Sequence, residues 1–552
     1  MRTPMRFFIK FILISTAYYL VNEPFITERI ENYILREIPF KIIGFAAQIA
    51  LATLIITLFS MTHRILKWLF LAFFLLNSTI YLVYYHSVGA ALTFNDFTML
   101  FEAKGMAGDA FLAYYPVVIN VIALHIPLFI AYFLFPSLKL KQKGTIATMS
   151  VYAIVLILLA GALVKSQGLG VKGRPSYMMP TVQFSVYQYF HHFGDDIESQ
   201  FTLKERPSLD SLNIEKTPVN TLIIAIDESI NWDLIDLNGN LNTTPSILNF
   251  DAKNIVNLGK AISYANCSDL SNASIRKFVR YGEEEADLLA EPLIYLWETA
   301  KQAGFTPYLL DAQHDGVGHN YFTPMEIGDI NVVPTTDIHS DAEIIDRLVE
   351  VRQAKPEEKQ LFLIIKKGSH FPYQNIGFDT PFAPVMKSTV ISHASREEVI
   401  NSYKNLTRFH TDQFFTALYK KISYQDDTVM IYTSDHGQSF LEPGKKSFHC
   451  DTRNPDNNEA IVPLLVIGPE SIIHNQTMNQ INSSSQTKSH YLIPPLIMSY
   501  LGYQDSDIQK FTEYQTVLDS KTDLHFVYRR AIPHFETTAG KRIITQEELE
   551  QL

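Results

Sequence analysis

Two kinds of hydrophobic pattern divide the chain. Over the first 165 residues, long apolar runs occur without charge at 11–22 (extended back across Lys10 to Phe7), 42–63, 68–95, 110–138 and 144–164. A bilayer core of about 30 Å takes roughly 20 apolar residues of helix and penalises ionised side chains. These runs therefore predict five membrane-spanning helices. Beyond about residue 218 the runs shorten to strand length, at 221–226, 306–310, 361–365, 428–432 and 462–467, with helical patterns at 288–303, 396–422 and 491–501. Bounded β-rich runs separated by helices predict an α/β fold, a mostly parallel sheet flanked by helices, with its chemistry at the carboxyl ends of the strands. The pattern gives three parts: a transmembrane domain over 1–165, a connector at the membrane surface over 166–217, and a soluble domain over 218–552. Aromatics at 184–193 suit either a membrane interface or packing on the soluble domain.

Charge sharpens this division. The first 165 residues hold 13 Lys/Arg against 7 Asp/Glu, and the remaining 387 hold 33 against 50. Arg2 and Arg6 precede the first span, Arg64 and Lys67 sit between the second and third, and Lys139, Lys141 and Lys143 between the fourth and fifth. Loops rich in Lys and Arg stay inside, so five spans starting inside place everything after Lys165 outside. The first span is short, and a cleaved signal peptide competes with it. No small-residue Ala-x-Ala-like site follows Leu20, which favours retention. Two cysteines in 552 residues exclude a disulfide-rich scaffold and a Cys-ligated zinc module. The acidic soluble domain has no basic stripe, so no nucleic-acid partner is expected.

The strand ends carry the candidate chemistry. The first soluble strand runs into Asp227-Glu228-Ser229, and another ends in Ser434-Asp435-His436-Gly437-Gln438. A third ends in Lys366-Lys367-Gly368-Ser369-His370, and Phe448-His449 precedes the strand at 462–467. Each has a bland reading alone: a solvated strand end, an Asx-stabilised turn, a structural histidine. Together they bring carboxylates and imidazoles to one kind of position, and those ligand types suit zinc. The small-residue stretch Cys267-Ser268-Asp269-Leu270-Ser271-Asn272-Ala273-Ser274 could open a helix, where a hydroxyl would meet both a metal and free backbone amides.

The order of these motifs resembles the phosphoethanolamine transferases of Gram-negative inner membranes, a branch of the alkaline phosphatase/sulfatase superfamily. Asn401-Ser402-Tyr403-Lys404-Asn405, with Asp412 after it, is similar to a helical signature of the same family. The likeness covers nearly the whole chain, since that family also has five spans before a periplasmic catalytic domain. It implies an alkaline-phosphatase/sulfatase-like fold, with Glu228, Asp435 and His436 as zinc ligands. Ser271 stands in the place of the family's nucleophilic threonine, four residues after a cysteine, and would also touch the metal. His370 and His449 match residues that hold the substrate phosphate or a second zinc, and His314 falls in a phosphate-contacting loop.

The resemblance further implies one zinc or two, a phosphatidylethanolamine donor, and an envelope glycan or glycolipid acceptor. It places the chain among inner-membrane lipids, with a cytoplasmic N-terminus and a periplasmic catalytic domain. Serine for threonine preserves the chemistry. Of the family's usual disulfides only Cys267 and Cys450 remain, flanking the nucleophile segment and His449, and a bridge between them is left open. Lys104 and Ala107 stand where the family's lipid-side pattern has Asn and Glu. A phosphoglycerol transferase of the same superfamily and a non-catalytic membrane-anchored scaffold are the competing readings. Sulfatase chemistry is not expected, because the segment after Cys267 lacks the Pro and Arg of Cys-x-Pro-x-Arg.

Overall fold

The computed structural model describes residues 3–35, 40–88, 92, 94, 97, 107–136, 138–165, 177–193, 209–215, 217–282, 294–313, 322, 324–335, 337–371, 373, 377–387, 394–422, 427–440, 448–451, 455–484, 487–519, 524–528 and 540–551. They fall into two units, one made of the residues up to 193 and one of those from 209 onward.

The first unit is helical: α1 (Thr3–Leu35), α2 (Phe40–Phe59), α3 (Arg64–Val88), α4 (Ala107–Leu124), α5 (Ile126–Phe133), α6 (Gln142–Lys165) and α7 (Met179–Phe193). Among the described residues, five stretches are long and apolar enough to cross a membrane: Thr3–Glu23, Phe40–Phe59, Arg64–His86, Tyr115–Phe133 and Gln142–Lys165. They correspond one for one with the five charge-free runs. Ile43, Leu69, Ile157 and Leu158 turn outward, the surface that lipid requires. Inside, Phe59 stacks on Phe70 with ring centroids 3.9 Å apart, and Tyr152 meets both edge-on. Tyr177, Met178, Met179, Val182 and Val186 are buried in the same core, so the start of α7 packs with this unit. The Lys10 ammonium is buried and donates to the Leu134 carbonyl at 2.8 Å, just past the end of α5. The partial negative charge of a helix C-terminus gives it a partner there.

The second unit is built on an eight-stranded sheet: β1 (Thr221–Asp227), β2 (Ile255–Ile262), β3 (Phe305–Asp311), β4 (Asn331–Val332), β5 (Lys359–Ile365), β6 (Thr428–Ser434), β7 (Ile461–Ile467) and β8 (Lys488–Ser489), in the order β4-β3-β5-β1-β6-β7-β2-β8. The pairs from β4 to β6 and the β2–β8 pair are parallel; β7 runs antiparallel to both neighbours. All five strands expected from the sequence are present. β2 was not expected, because Asn257, Gly259 and Lys260 interrupt its apolar alternation at an irregularity in its pairing with β7.

The central strand explains the layering. Every residue of β1 is buried, and alternate side chains leave by opposite faces. Leu222, Ile224 and Ile226 share a core with α9 (Leu296–Gln302) and α13 (Ile493–Leu501). Ala225 is in register with Tyr432 of β6, against which Phe415 packs at 4.9 Å. Phe415 belongs to α12 (Gln413–Lys421), which lies beside α10 (Ala342–Ala354). α11 (Arg396–Thr407) opens with a Ser395/Glu398 capping box and passes through a π-helical turn, Arg408–Asp412, into α12. The sequence expected one helix across 396–422. Register places the carboxyl ends of β3, β5, β1 and β6 level: Ile365 lies beside Ile226 and Asp311, and Asp227 beside Ser434.

One buried imidazole ties these layers. His490 Nδ1 accepts from the Tyr264 amide at 3.2 Å, so Nε2 carries the proton and donates to Thr433 Oγ1 at 3.0 Å. Burial pushes its pKa down to about 3. Below the ordinary value near 6.5 the unfolded chain takes up a proton that the folded chain refuses, so stability falls as pH falls between about 6.5 and 3. Acidification from pH 7 to 5 should cost roughly 2 kcal/mol through this ring. Burial lifts Glu459 to about 7, which acts in the opposite sense. The check is therefore a comparison: the drop in melting temperature between pH 7 and 5 should be smaller in His490→Gln than in the wild type.

Candidate metal centre and nucleophile

Two adjacent strand ends build the site. At the end of β1, Ser229 takes a left-handed conformation with φ 59°, and its amide donates to Asp435 Oδ1 at 3.0 Å. At the end of β6, the Asp435 amide donates to the Asp227 carbonyl at 2.9 Å. His436 Nδ1 donates to the Gly437 carbonyl at 2.7 Å, which leaves the Nε2 lone pair facing the cluster. From Nε2 it is 3.5 Å to Glu228 Oε1 and 3.7 Å to Asp435 Oδ2. Gly437 is required by close approach, since a Cβ there would stand 2.1 Å from the Asn458 carbonyl oxygen.

Glu228, Asp435 and His436 are all buried, and each offers a ligand atom within 4.8 Å of the others. Burial, with Glu228 beside it, pushes the Asp435 carboxyl well above its usual range. Burial also acts to raise Glu228, but the hydrogen bond from His436, the charges of His370 and His436, and the bond from Ser229 hold it well below. Burial lowers His436, yet Asp435 and Glu228 outweigh it and lift the imidazole to about 9. A cluster that draws protons onto both an imidazole and a carboxyl group is short of positive charge. Among the described residues, no donor reaches the buried Asp435 Oδ2. That lone carboxylate oxygen, two further ligand types around it and the surplus of negative charge fit a divalent cation.

Ser229 Oγ donates to Glu228 Oε1 at 2.6 Å, and the hydroxyl that reaches both Glu228 and His436 is that of Ser268, the first residue of α8 (Ser268–Arg276). Its Oγ lies 3.2 Å and 3.5 Å from the two Glu228 oxygens and 3.1 Å from His436 Nε2. Ser271, the nucleophile expected from the sequence, is one turn further on. Its Oγ is fully buried, donating to the Ala265 carbonyl and accepting from the Ala265 amide, both at 3.0 Å. Ser271 thus faces the preceding loop, whereas the first helical residue, Ser268, faces the strand ends. The signal was in the sequence, since a hydroxyl meant to meet free helix amides belongs at the helix start.

The remaining candidates are distributed around the cluster. The His449 ring centroid lies 4.5 Å from that of His436 and 5.9 Å from that of His370, which is exposed. Burial, reinforced by His436 and His370, holds His449 well below the ordinary histidine value. Its Nδ1 is 3.2 Å from Gln438 Oε1, a contact not foreseen. His314 lies outside the described residues. Its neighbour Gln313 reaches the site, donating from Nε2 to Glu228 Oε2 at 3.1 Å. Cys267 and Cys450 are joined by a disulfide, Cα atoms 4.9 Å apart, which fastens the start of α8 to the loop carrying His449.

The sulfatase family model matches residues 220–503, just over half of the chain. The chain belongs to the sulfatase family. Two curated relatives are Kdo(2)-lipid A phosphoethanolamine 7''-transferases: that of Salmonella typhimurium is 26% identical over 305 residues, covering 51% of each chain, and that of Escherichia coli 25% over 320, covering 53% of each. The chain thus spans about half the length of the curated relatives it matches. In fold it is similar to the integral membrane lipooligosaccharide phosphoethanolamine transferase A of Neisseria meningitidis, with TM-score 0.60 and 15% identity over 90% of this chain and 96% of that one.

The disulfide spans a sequence separation of 183 residues. Closing so long a loop stabilises a fold by about 2–5 kcal/mol. Cys450→Ser should therefore melt at a clearly lower temperature than wild type under oxidising conditions, and the two should converge in reductant; equal melting without reductant would contradict this.

Proposed function

We propose that this protein transfers phosphoethanolamine from phosphatidylethanolamine to an envelope glycan or glycolipid, with Ser268 as the covalent nucleophile. The observation that carries the reading is the position of the Ser268 hydroxyl, within reach of both Glu228 and His436 at the start of a helix. The activities of the Salmonella typhimurium and Escherichia coli relatives support the transferred group and a lipid A type of acceptor. Five spans and an excess of Lys and Arg in alternate loops support an inner-membrane chain with its second unit in the periplasm. The disulfide suits that oxidising compartment.

Glu228, Asp435 and His436 would hold zinc. Bound there, it supplies a lowered pKa for an adjacent hydroxyl and neutralises phosphate charge. Ser268 Oγ, its proton already released to solvent, attacks the donor phosphorus; a bond forms between them as the bond to the glycerol oxygen breaks. Diacylglycerol leaves as the alcohol, its proton supplied by His370 on the exposed side of the site. His449, neutral and held through Gln438, faces the phosphate oxygens. An acceptor oxygen then displaces Ser268 in a second attack, completing a ping-pong cycle.

With labelled phosphatidylethanolamine and the detergent-solubilised full chain, Ser268→Ala should lose diacylglycerol release by about 10³-fold or more. Ser271→Ala should keep that activity while losing stability, because two buried backbone partners of its hydroxyl go unmet, at about 1–3 kcal/mol. Intact mass should show a phosphoethanolamine adduct on the wild type and none on Ser268→Ala; a phosphoglycerol adduct, or undiminished release by Ser268→Ala, refutes the proposal. Elemental analysis supplies the metal check: zinc should copurify with the wild type and be lost from Asp435→Ala.

A further inference from the structure

Behind the metal cluster lies a buried ion pair that the transfer reaction does not use. Lys366, the residue after β5, is wholly buried, and its ammonium donates to Asp227 Oδ2. It also donates to Thr411 Oγ1 at 3.2 Å and lies 3.6 Å from Asp341 Oδ2, with the Phe414 ring centroid 4.6 Å away. Asp227 is saturated as an acceptor: Oδ2 takes Thr411 Oγ1 at 2.8 Å and Tyr432 OH at 2.7 Å, and Oδ1 takes the Glu228 amide at 2.9 Å. Thr411 comes from the π-helical turn, an irregularity frequent at functional sites.

Two routes lead from Lys366 to the carboxylate of Glu228. The first is Asp227, which fixes the Glu228 amide from the preceding position. The second is the Lys366 carbonyl, which accepts from Gln313 Nε2 at 2.7 Å while the same nitrogen donates to Glu228 Oε2. The loop carrying His370 rests on the same group. Asp341 accepts the amides of Lys367 and Gly368 at 2.9 Å and 3.1 Å, and the Ser369 amide donates to the Glu228 carbonyl at 3.0 Å. Gly368, at φ 54°, sits so close that a Cβ would stand 2.5 Å from Asp227 Oδ1 and 2.6 Å from the Glu228 amide nitrogen.

A buried ion pair is weak evidence for stability, since well-packed apolar residues of the same volume often do as well. Its connections point to geometry instead. We propose that Lys366 and Asp227 are positioning residues that set the Glu228 carboxylate and the Gly368-Ser369-His370 loop for metal binding, with Gln313 as the second tether. This rests on the reading of Glu228 as a metal ligand.

The test measures Zn2+ affinity by chelator competition, together with melting temperature, on the detergent-solubilised full chain. Lys366→Met and Asp227→Asn should each bind Zn2+ about 10- to 100-fold more weakly, the usual cost of losing a partner that orients a ligand. The double variant removes both charges of the pair and leaves Asp341 held by the Lys367 and Gly368 amides, so it should regain most of the melting temperature without regaining the affinity. Gln313→Leu leaves the ion pair intact and should weaken Zn2+ about tenfold with little change in melting temperature. A double variant that binds Zn2+ like the wild type, or a Gln313→Leu protein that does, overturns the proposal and leaves the metal site standing. A wild-type chain that binds no Zn2+ instead overturns the metal reading, and this inference with it.

Discussion

The second unit depends on one constraint: carboxylates, Asp227, Glu228, Asp341 and Asp435 among them, are buried around the level ends of parallel strands. Water is excluded there, and each charge must be answered by a cation, a hydrogen bond or a proton. Lys366 answers Asp227, amides of the following loop answer Asp341, and Glu228 and Asp435 are left to share His436. Much of the local chain geometry follows. Ser229 turns left-handed so that its amide can reach Asp435, and glycines stand at 368 and 437 because backbone atoms occupy the space a side chain would need.

What was legible in the sequence was what local pattern controls. The five strands were readable because each is an apolar run buried on both faces, and the charge-free spans because ionised groups are so costly in hydrocarbon. The strand ends exposed Glu228, Asp435 and His436, since a run of Ile and Leu that stops in carboxylates is conspicuous. The missed features depend on direction and on distant partners. Choosing between Ser268 and Ser271 needs the helix start and the rotation of each side chain about its axis. Gln313 and Lys366 looked like ordinary loop residues because their partners are 85 and 139 positions away. β2 hid behind an irregular pairing, and the helix expected across 396–422 concealed the turn that brings Thr411 inward.

The first unit obeys simpler physics. Its spans carry few polar groups, and several of the buried ones find partners on the same helix or a neighbouring one. Asn22 donates to the Tyr18 carbonyl, Thr57 to that of Thr53, and His125 bridges the Val121 carbonyl and Ser78. Aromatic contacts around Phe59, Phe70 and Tyr177 supply shape where the hydrophobic effect cannot discriminate helix from lipid.

The cystine joining Cys267 to Cys450 also governs when the site matures. Ser268 follows one of its sulfurs directly, and His449 precedes the other. With the two thiols reduced, these segments would be held together only by weaker contacts. Closure of the cystine and the bringing together of Ser268 and His449 are then one event.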